Sequence, residues 1–562
     1  MILSAFLAVC TVGAAVALLT AADRYLGPAT ALAGLALACV AALMIGPSDR
    51  AYVGDAELLG STYAGTFLAV VAASAFALTL VTAVSGGSVG GAPAAIGALG
   101  GLGLAVTAVD APISLAGAGI AAAAAAGASV VGWPADGEPD NRMAEARTLA
   151  LLVGSLLFAA LAIAHPAWTG ENGPVLAIGL LGLGAALAVR SGTVPFHLPP
   201  ARLGKRGATP TPALLLVWVP AGLGLLAVSW SAATFANPSD WLAMAAVAIA
   251  AGGLATILLG GLGAILHDDL AEIAVYSIIA DSGFILLALA SRSEAAAEPA
   301  RAWLLVFVGA KTALVAWAAA MGGTFGSAGL ADLHGWMRRA PLAGVALAVA
   351  VVAGVGWPGT VVFEARSTLV SLALPGPLVL VVPVAILLTT VCWGRVLAIG
   401  LMAPSGIPAG ARGSWHRPAK SRATAAYDDA KIEAPGRAAG EDLPRAAFPS
   451  GPEAGGRNPS GGGRADRSIA AAGMVAVASV LALGVAAGSL GAPGPAANGI
   501  PLDVAARATS TPAPTPTPGA TTPVPTLAPH TTLSPSGAAA SASASASPGP
   551  TRSAAPATIP QQ

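Results

Sequence analysis

The chain has 562 residues, 56% of them hydrophobic and only 10% charged, with 27 Lys/Arg against 27 Asp/Glu. Soluble domains carry about 25% charged residues, so this composition excludes an ordinary soluble domain and describes an all-α polytopic membrane protein. Zero net charge removes the basis for a nucleic-acid partner, and Cys10, Cys39 and Cys392 stand singly in apolar runs, which argues against a disulfide framework, a zinc site or an iron–sulfur site.

Apolar runs of about 20 residues, the length that crosses the hydrocarbon core, recur fourteen times, at 1–21, 27–46, 61–84, 92–109, 112–133, 146–164, 174–191, 211–233, 240–265, 271–290, 301–322, 341–362, 375–402 and 469–490. The first lacks a basic segment before it and is read as a span rather than a signal peptide. Basic clusters at Arg142/Arg147, Arg202/Lys205/Arg206 and Arg338/Arg339, and ten Lys/Arg between Arg412 and Arg467, all come after odd-numbered spans. By the positive-inside rule those loops are cytoplasmic and both termini lie outside. Residues 403–467, rich in Gly, Pro, Ala and mixed charge, read as a disordered loop. Residues 492–562, with PAPTPTPGATTPVPT and ASASASASPG, read as an extracytoplasmic Pro/Thr/Ser/Ala-rich tail. The remaining division is 1–109 as N-terminal spans, 110–402 as a translocation core and 468–491 as the last span.

Two stretches interrupt their spans. Residues 187–200 (LAVRSGTVPFHLPP) and 354–366 (GVGWPGTVVFEAR) each place Gly and Pro beside charge. Gly/Pro-broken spans in corresponding positions of two halves point to a transporter of inverted repeats, with its ion path at the breaks in spans seven and twelve. No nucleotide-binding motif of the GxGxxG or GxxxxGK[ST] kind stands in a matching context.

A charged side chain at the bilayer centre costs at least about 2.5–3.5 kcal/mol on insertion scales, so each is a functional candidate. The proton-path candidates are Lys311, Asp281, His197, Glu364, Arg190 and Arg366, with Asp110, His267 and Arg395 nearer the span ends. Lys311 and Asp281 sit mid-span in FVGAKTALVAW and VYSIIADSGFILL, and a pair between adjacent spans would reduce the cost of both. The bland alternatives are a snorkelling lysine and a structural carboxylate. Lysine can lose its proton when desolvated, whereas guanidinium cannot. Arg190 and Arg366 therefore handle ions or simply cap the carbonyls freed at the breaks. His197 either exchanges protons near neutral pH or is an interfacial histidine bonded to backbone.

These residues resemble a known family, the antiporter-like membrane subunits of proton-pumping NADH:quinone oxidoreductase (complex I), most of all its subunit N, with relatives among Mrp-type antiporter subunits. The match covers roughly residues 110–370. Arg190 to His197 resembles the family's K-x-x-x-VPFH, and Ala208-Thr-Pro-Thr-Pro212 its APTP. His267-Asp-Asp-Leu270 through Tyr276-Ser277 to Gly283 resembles TDLKRLLAYSSIxxxG. Ala310-Lys311-Thr-Ala-Leu314 resembles FKALL, Leu330 to Arg339 resembles LxDLxGLxRR, and Gly356 to Arg366 resembles GIPxxxGFxxK.

The resemblance implies a membrane-arm subunit in a bacterial plasma membrane, contributing to proton translocation while partner subunits carry electrons from NADH to quinone. It implies no cofactor on this chain, and other membrane subunits, protons and the bilayer as partners. The family's relay is a row of intramembrane Glu and Lys, and this sequence departs from it: the fifth-span glutamate falls near Gly119, the eighth-span lysine near Ala221, the lysine after the Asp-Leu pair at Ala271 and the tenth-span histidine at Asp281. The seventh- and twelfth-span lysines become Arg190 and Arg366. A conduction-deficient structural subunit of the same arm, or an Mrp-like cation/proton antiporter using Asp281 and Glu364, are therefore the alternative expectations.

Overall fold

A computed structural model describes residues 1–403, apart from 24, 85–88, 132–138, 165–172, 198–210, 236–238 and 326–327. The chain divides into two units, Met1–Thr511 and Pro512–Gln562, and every described residue lies in the first. The expected loop, last span and tail thus fall almost wholly outside the described residues.

The described chain is helical: α1 (Ile2–Leu19), α2 (Leu26–Leu43), α3 (Thr62–Val84), α4 (Ala92–Thr107), α5 (Ala111–Val131), α6 (Pro139–Ala164) and α7 (Gly173–Ser191) come first. Next is α8, built from Thr211–Ala213, a π turn at Leu214–Trp218, and Val219–Thr234. After it come α9 (Asp240–Leu266), α10 (Leu270–Ser291), α11 (Ala297–Phe325), α12 (Pro341–Val355), α13 (Val361–Ala373) and α14 (Val381–Leu401). Eleven spans among the described residues are long and apolar enough to cross a membrane, and two shorter apolar helices, Ala92–Thr107 and Pro341–Val355, stand at the fourth and twelfth expected positions. One two-stranded hairpin, β1 (Arg50–Val53) with β2 (Ala56–Leu59), turns over Gly54 and Asp55 between α2 and α3.

The apolar runs form helices because backbone groups in hydrocarbon must bond within their own segment. Their ends carry specific caps. The Asp269 carboxylate accepts from the Ala271 and Glu272 amides at 2.9 and 3.3 Å, and the hydroxyls of Ser239 and Thr360 do the same for α9 and α13.

The bundle is layered by polarity. The apolar middle stretches of α8 and α11 are wholly buried and that of α10 nearly so, whereas α1, α2, α6, α9 and α14 leave large apolar faces outward. Two of these three innermost helices, α10 and α11, carry mid-span charge, Asp281 and Lys311, as the cost of placing charge against lipid requires.

The helices α9 and α10 meet closely through small residues. A β-carbon on Gly283 would lie 2.5 Å from the Gly253 carbonyl oxygen, and one on Gly260 would lie 2.6 Å from the Ala280 nitrogen. Small residues let membrane helices approach closely and gain dispersion contacts. Gly283 is two residues from Asp281, so this contact also fixes where that carboxylate sits.

The two expected breaks differ: no interruption falls within the seventh expected span, 174–191, which one helix covers whole. α7 runs uninterrupted to Ser191 and ends at Gly192, whose φ of 65° reverses the chain, while the Val194 amide donates to Thr256 Oγ1 on α9 at 3.1 Å. Residues 198–210, immediately beyond His197, are outside the described residues. In the twelfth expected span, 341–362, α12 ends at Val355, and α13 begins at Val361 after residues 356–360 and runs beyond the expected limit to Ala373.

Gly283→Ala should lower stability by about 1–3 kcal/mol through overpacking, whereas Gly252→Ala, which meets open space, should stay within about 0.5 kcal/mol of the wild type. Thermal unfolding in detergent compares them, and equal melting would remove the close α9/α10 contact.

Candidate functional site

α10 presents Ser277, Asp281 and Phe284 on one face, since residues four and three apart stack along a helix. α11 brings Lys311 to that face. Lys311 Nζ lies 2.7 Å from Asp281 Oδ2 and donates to Ser277 Oγ at 2.8 Å. Ser277 Oγ also accepts from Trp393 Nε1 of α14 at 3.4 Å. The pairing expected between Lys311 and Asp281 is thus present in the geometry.

The same carboxylate oxygen holds a second cation, because Arg366 Nη2 of α13 sits 2.9 Å from Asp281 Oδ2. Exposure is 3% for Asp281, 1% for Lys311 and 2% for Arg366. Two buried cations therefore share one carboxylate, and with all three ionised the cluster carries a net single positive charge.

Arg366 is held by the chain break it adjoins. Its Nη1 donates to the Val355 carbonyl at 2.7 Å and its Nη2 to that of Gly354 at 3.1 Å, both left without helical partners where α12 stops. Gly356, at φ 77°, turns the chain there. A β-carbon on it would lie 3.3 Å from Arg366 Nη1. The guanidinium stacks over the Phe284 ring with 4.8 Å to the centroid. Arg366 thus caps the carbonyls freed at the gap, as the structural alternative expected, and pairs with Asp281.

Arg190 belongs to a separate cluster. Its Nη1 meets Glu145 Oε1 of α6 at 3.0 Å, and its Nε donates to the Leu215 carbonyl at 3.0 Å inside the π turn of α8. A π turn inserts one residue and disturbs the helical bond ladder, which leaves a carbonyl for the guanidinium. At the far end of that turn, Trp218 Nε1 donates to Thr312 Oγ1 at 2.9 Å, beside Lys311. The π turn therefore links the two clusters.

The other expected residues lie elsewhere. His197 is partly buried in the turn after α7, its Nδ1 enclosed without a hydrogen-bond partner among the described residues. Glu364 is exposed on α13 and takes no part in the Asp281 cluster, because two residues along a helix turn it about 200° from Arg366. Asp110 is exposed at the start of α5. His267 and Arg395 meet at the end of α9: His267 stacks on Tyr276 at 4.4 Å, and Arg395 donates to the His267 carbonyl and pairs with Asp268 at 3.3 Å. Ser277 and Glu145 join the clusters without any expectation from sequence. Glu145 lies in the loop-proximal part of its span, and hydroxyls attract no notice in a search for charge.

No group of three or more His, Cys, Asp or Glu arranged for a metal occurs among the described residues.

Comparison with known proteins leads in the same direction. Residues 147–391 match the family model described as NADH:quinone oxidoreductase/Mrp antiporter, transmembrane. NADH-quinone oxidoreductase subunit N of Rhodopseudomonas palustris is 30% identical over 199 residues, 35% of this chain and 41% of that protein. Subunit N 1 of Streptomyces griseus is 30% identical over 225 residues, 39% of this chain and 46% of that protein. The chain thus spans less than half the length of these relatives in the matched region. Among solved structures, respiratory complex I from Thermus thermophilus with bound aureothin contains a chain of TM-score 0.58 at 18% identity, covering 87% of this chain and all of that one. The Mrp complex of Dietzia gives a TM-score of 0.54 at 18% identity over 72% of this chain and 47% of that one. The resemblance read from the motifs is therefore matched in sequence and in fold.

Asp281→Asn strands two buried cations and should destabilise by about 3–5 kcal/mol. Lys311→Met leaves an intact Arg366–Asp281 pair and should lose distinctly less. Unfolding in detergent ranks them, and equal losses would contradict a shared carboxylate.

Proposed function

We propose that the chain is a membrane-arm subunit of an NADH:quinone oxidoreductase-type complex and takes part in proton translocation coupled to electron transfer on other subunits. The observation that carries this reading is the buried Lys311–Asp281–Arg366 cluster, where α10, α11 and α13 meet in a fold like that of chains in complex I and Mrp structures. Proton exchange needs a group with two accessible protonation states. Arg366 keeps its charge, and Asp281, facing two cations, is held as their counter-ion. Lys311 is the member that can release and regain a proton, with Ser277 and the indole of Trp393 as its polar neighbours.

On this reading NADH and quinone are handled by partner subunits, and this chain binds neither. It sits in a bacterial plasma membrane as a multi-pass protein with both termini extracytoplasmic. The full fold has fourteen spans in two inverted repeats, broken at the seventh and twelfth. The two arginine anchors support the repeat relation: Arg190 ties a carboxylate to the π turn of α8, and Arg366 ties a carboxylate to the gap between α12 and α13. His197 would lie on the route past the end of α7.

A second reading is supported by those same anchors. Each joins a permanently charged guanidinium to a carboxylate, as a structural clamp does, which favours a conduction-deficient subunit that seals and assembles the arm. The two readings differ in what Lys311 is required to do.

The test is Lys311→Arg in the intact complex reconstituted in liposomes. Arginine preserves the cation beside Asp281 but cannot relay by deprotonation, so proton flux per electron pair should drop while assembly persists. Unchanged coupling in Lys311→Arg and Lys311→Ala would leave the clamp reading in place.

A further inference from the structure

Glu364 is out of keeping with its depth. Arg366 reaches Asp281 at 2.9 Å, and Asp281 and Lys311 occupy the middles of α10 and α11. Glu364 stands two residues earlier on α13, a rise of about 3 Å, so it too lies near mid-membrane depth. Unlike Arg366, it faces out of the bundle, and it makes no ion pair among the described residues.

A polar stripe runs along this face, flanked by the exposed apolar Val361 and Leu372. Thr360, Glu364, Thr368 and Ser371 recur at helical spacing on one side of α13, the last three exposed and Thr360 half-buried. The hydroxyls are satisfied within the chain, donating to the carbonyls of Trp357, Glu364 and Thr368 at 2.7, 2.8 and 2.9 Å respectively. The carboxylate is the one group on this stripe left to find a counter-charge. The outward face of α9, by contrast, shows Met244, Val247, Leu259 and Leu262, as a lipid-facing surface does.

We propose that this face of α13, centred on Glu364, is a contact surface for a transmembrane helix of a partner subunit that brings a lysine or arginine to mid-membrane depth. Left against lipid, a central carboxylate is strongly disfavoured, and an opposite charge desolvated with it supplies both neutralisation and partner choice. The chain's own apolar run at 469–490 contains no Lys or Arg and has nothing to neutralise Glu364. Of the apolar runs long enough to cross the membrane, the one outside the described residues thus offers no cation at this depth, and the proposal commits to a helix of a second polypeptide. The inference deepens the partner reading above and rests on it for the existence of a membrane partner, but it does not require Lys311 to conduct.

The experiment places the photocrosslinker benzoylphenylalanine at Thr368 of the full-length chain in its native membrane, irradiates, and identifies adducts by mass spectrometry. The expected adduct is a transmembrane peptide of another polypeptide with Lys or Arg within a helical turn of the joined residue. Adding Glu364→Lys should cut its yield at least about tenfold, and replacing the partner's cation with Glu should restore it. Glu364→Lys is compared only if it melts like the wild type; otherwise Glu364→Gln takes its place. Adducts with lipid alone, with residues 469–490 of the same chain, or with a partner helix lacking a cation overturn the proposal, as does a yield insensitive to Glu364. Flux lost in Lys311 variants with the adduct intact speaks to the relay, whereas an absent adduct with coupled flux intact sinks the surface alone.

Discussion

One carboxylate oxygen, Oδ2 of Asp281, accepts from two cations that arrive on different helices. A charge buried in hydrocarbon is tolerated only when compensated, so this atom dictates how α10, α11 and α13 meet. α11 must present Lys311 at the middle of its length, and α13 must begin close enough for Arg366 to reach inward. A continuous twelfth helix would satisfy its own carbonyls and offer the guanidinium nothing at Gly354 and Val355. The gap at 356–360, the left-handed Gly356 and the seat on Phe284 thus belong to one arrangement whose centre is Asp281.

The first half of the molecule uses the same device with different parts. Arg190 binds Glu145 and a carbonyl released by a π turn, where Arg366 binds Asp281 and carbonyls released by a gap. Both irregularities free backbone acceptors, and in each case a guanidinium with its fork of donors fills them while neutralising an acid. A lysine presents its three donors from a single nitrogen, whereas the guanidinium spreads its donors over a planar fork that reaches carbonyl and carboxylate together, which gives a physical reason for arginine where the resembled pattern has lysine. Between the two anchors, the Trp218 to Thr312 bond joins the π turn to the helix that carries Lys311.

Much of this is legible in the sequence. Long apolar runs mark the helices nearly to their ends, because hydrocarbon permits few other structures, and two mid-span opposite charges on successive spans predict their own pairing. The motif Gly-x-Gly-Trp-Pro-Gly marks the gap before Val361. Helical rotation is the weak point. Glu364 and Arg366 are too close in sequence to share a face, and that spacing already separates them. The fifth span, where the family pattern places an acid, has none across residues 111–135. The acid for Arg190 comes instead from Glu145 on α6, and periodicity alone does not say which neighbouring helix turns a residue inward. The hairpin at 50–59 is hidden among the spans, although Gly54-Asp55 between short runs is a tight-turn signal.

Whether such a cluster conducts turns on which of its members keep their charge. With Arg366 permanently cationic, Asp281 has a fixed partner irrespective of Lys311, so loss of a proton from Lys311 leaves a balanced pair behind rather than an orphaned carboxylate. A lone Lys–Asp pair lacks that property: there, deprotonating the lysine strands a buried negative charge. The arginine that looks like an obstacle to a Glu/Lys relay therefore serves, on the proposed reading, as the counterweight that lets the neighbouring lysine change state at lower cost. Among the described residues the Arg190 cluster pairs one guanidinium with one carboxylate and includes no lysine, so on the proposed reading the cluster around Asp281 is the one with a cation able to change state.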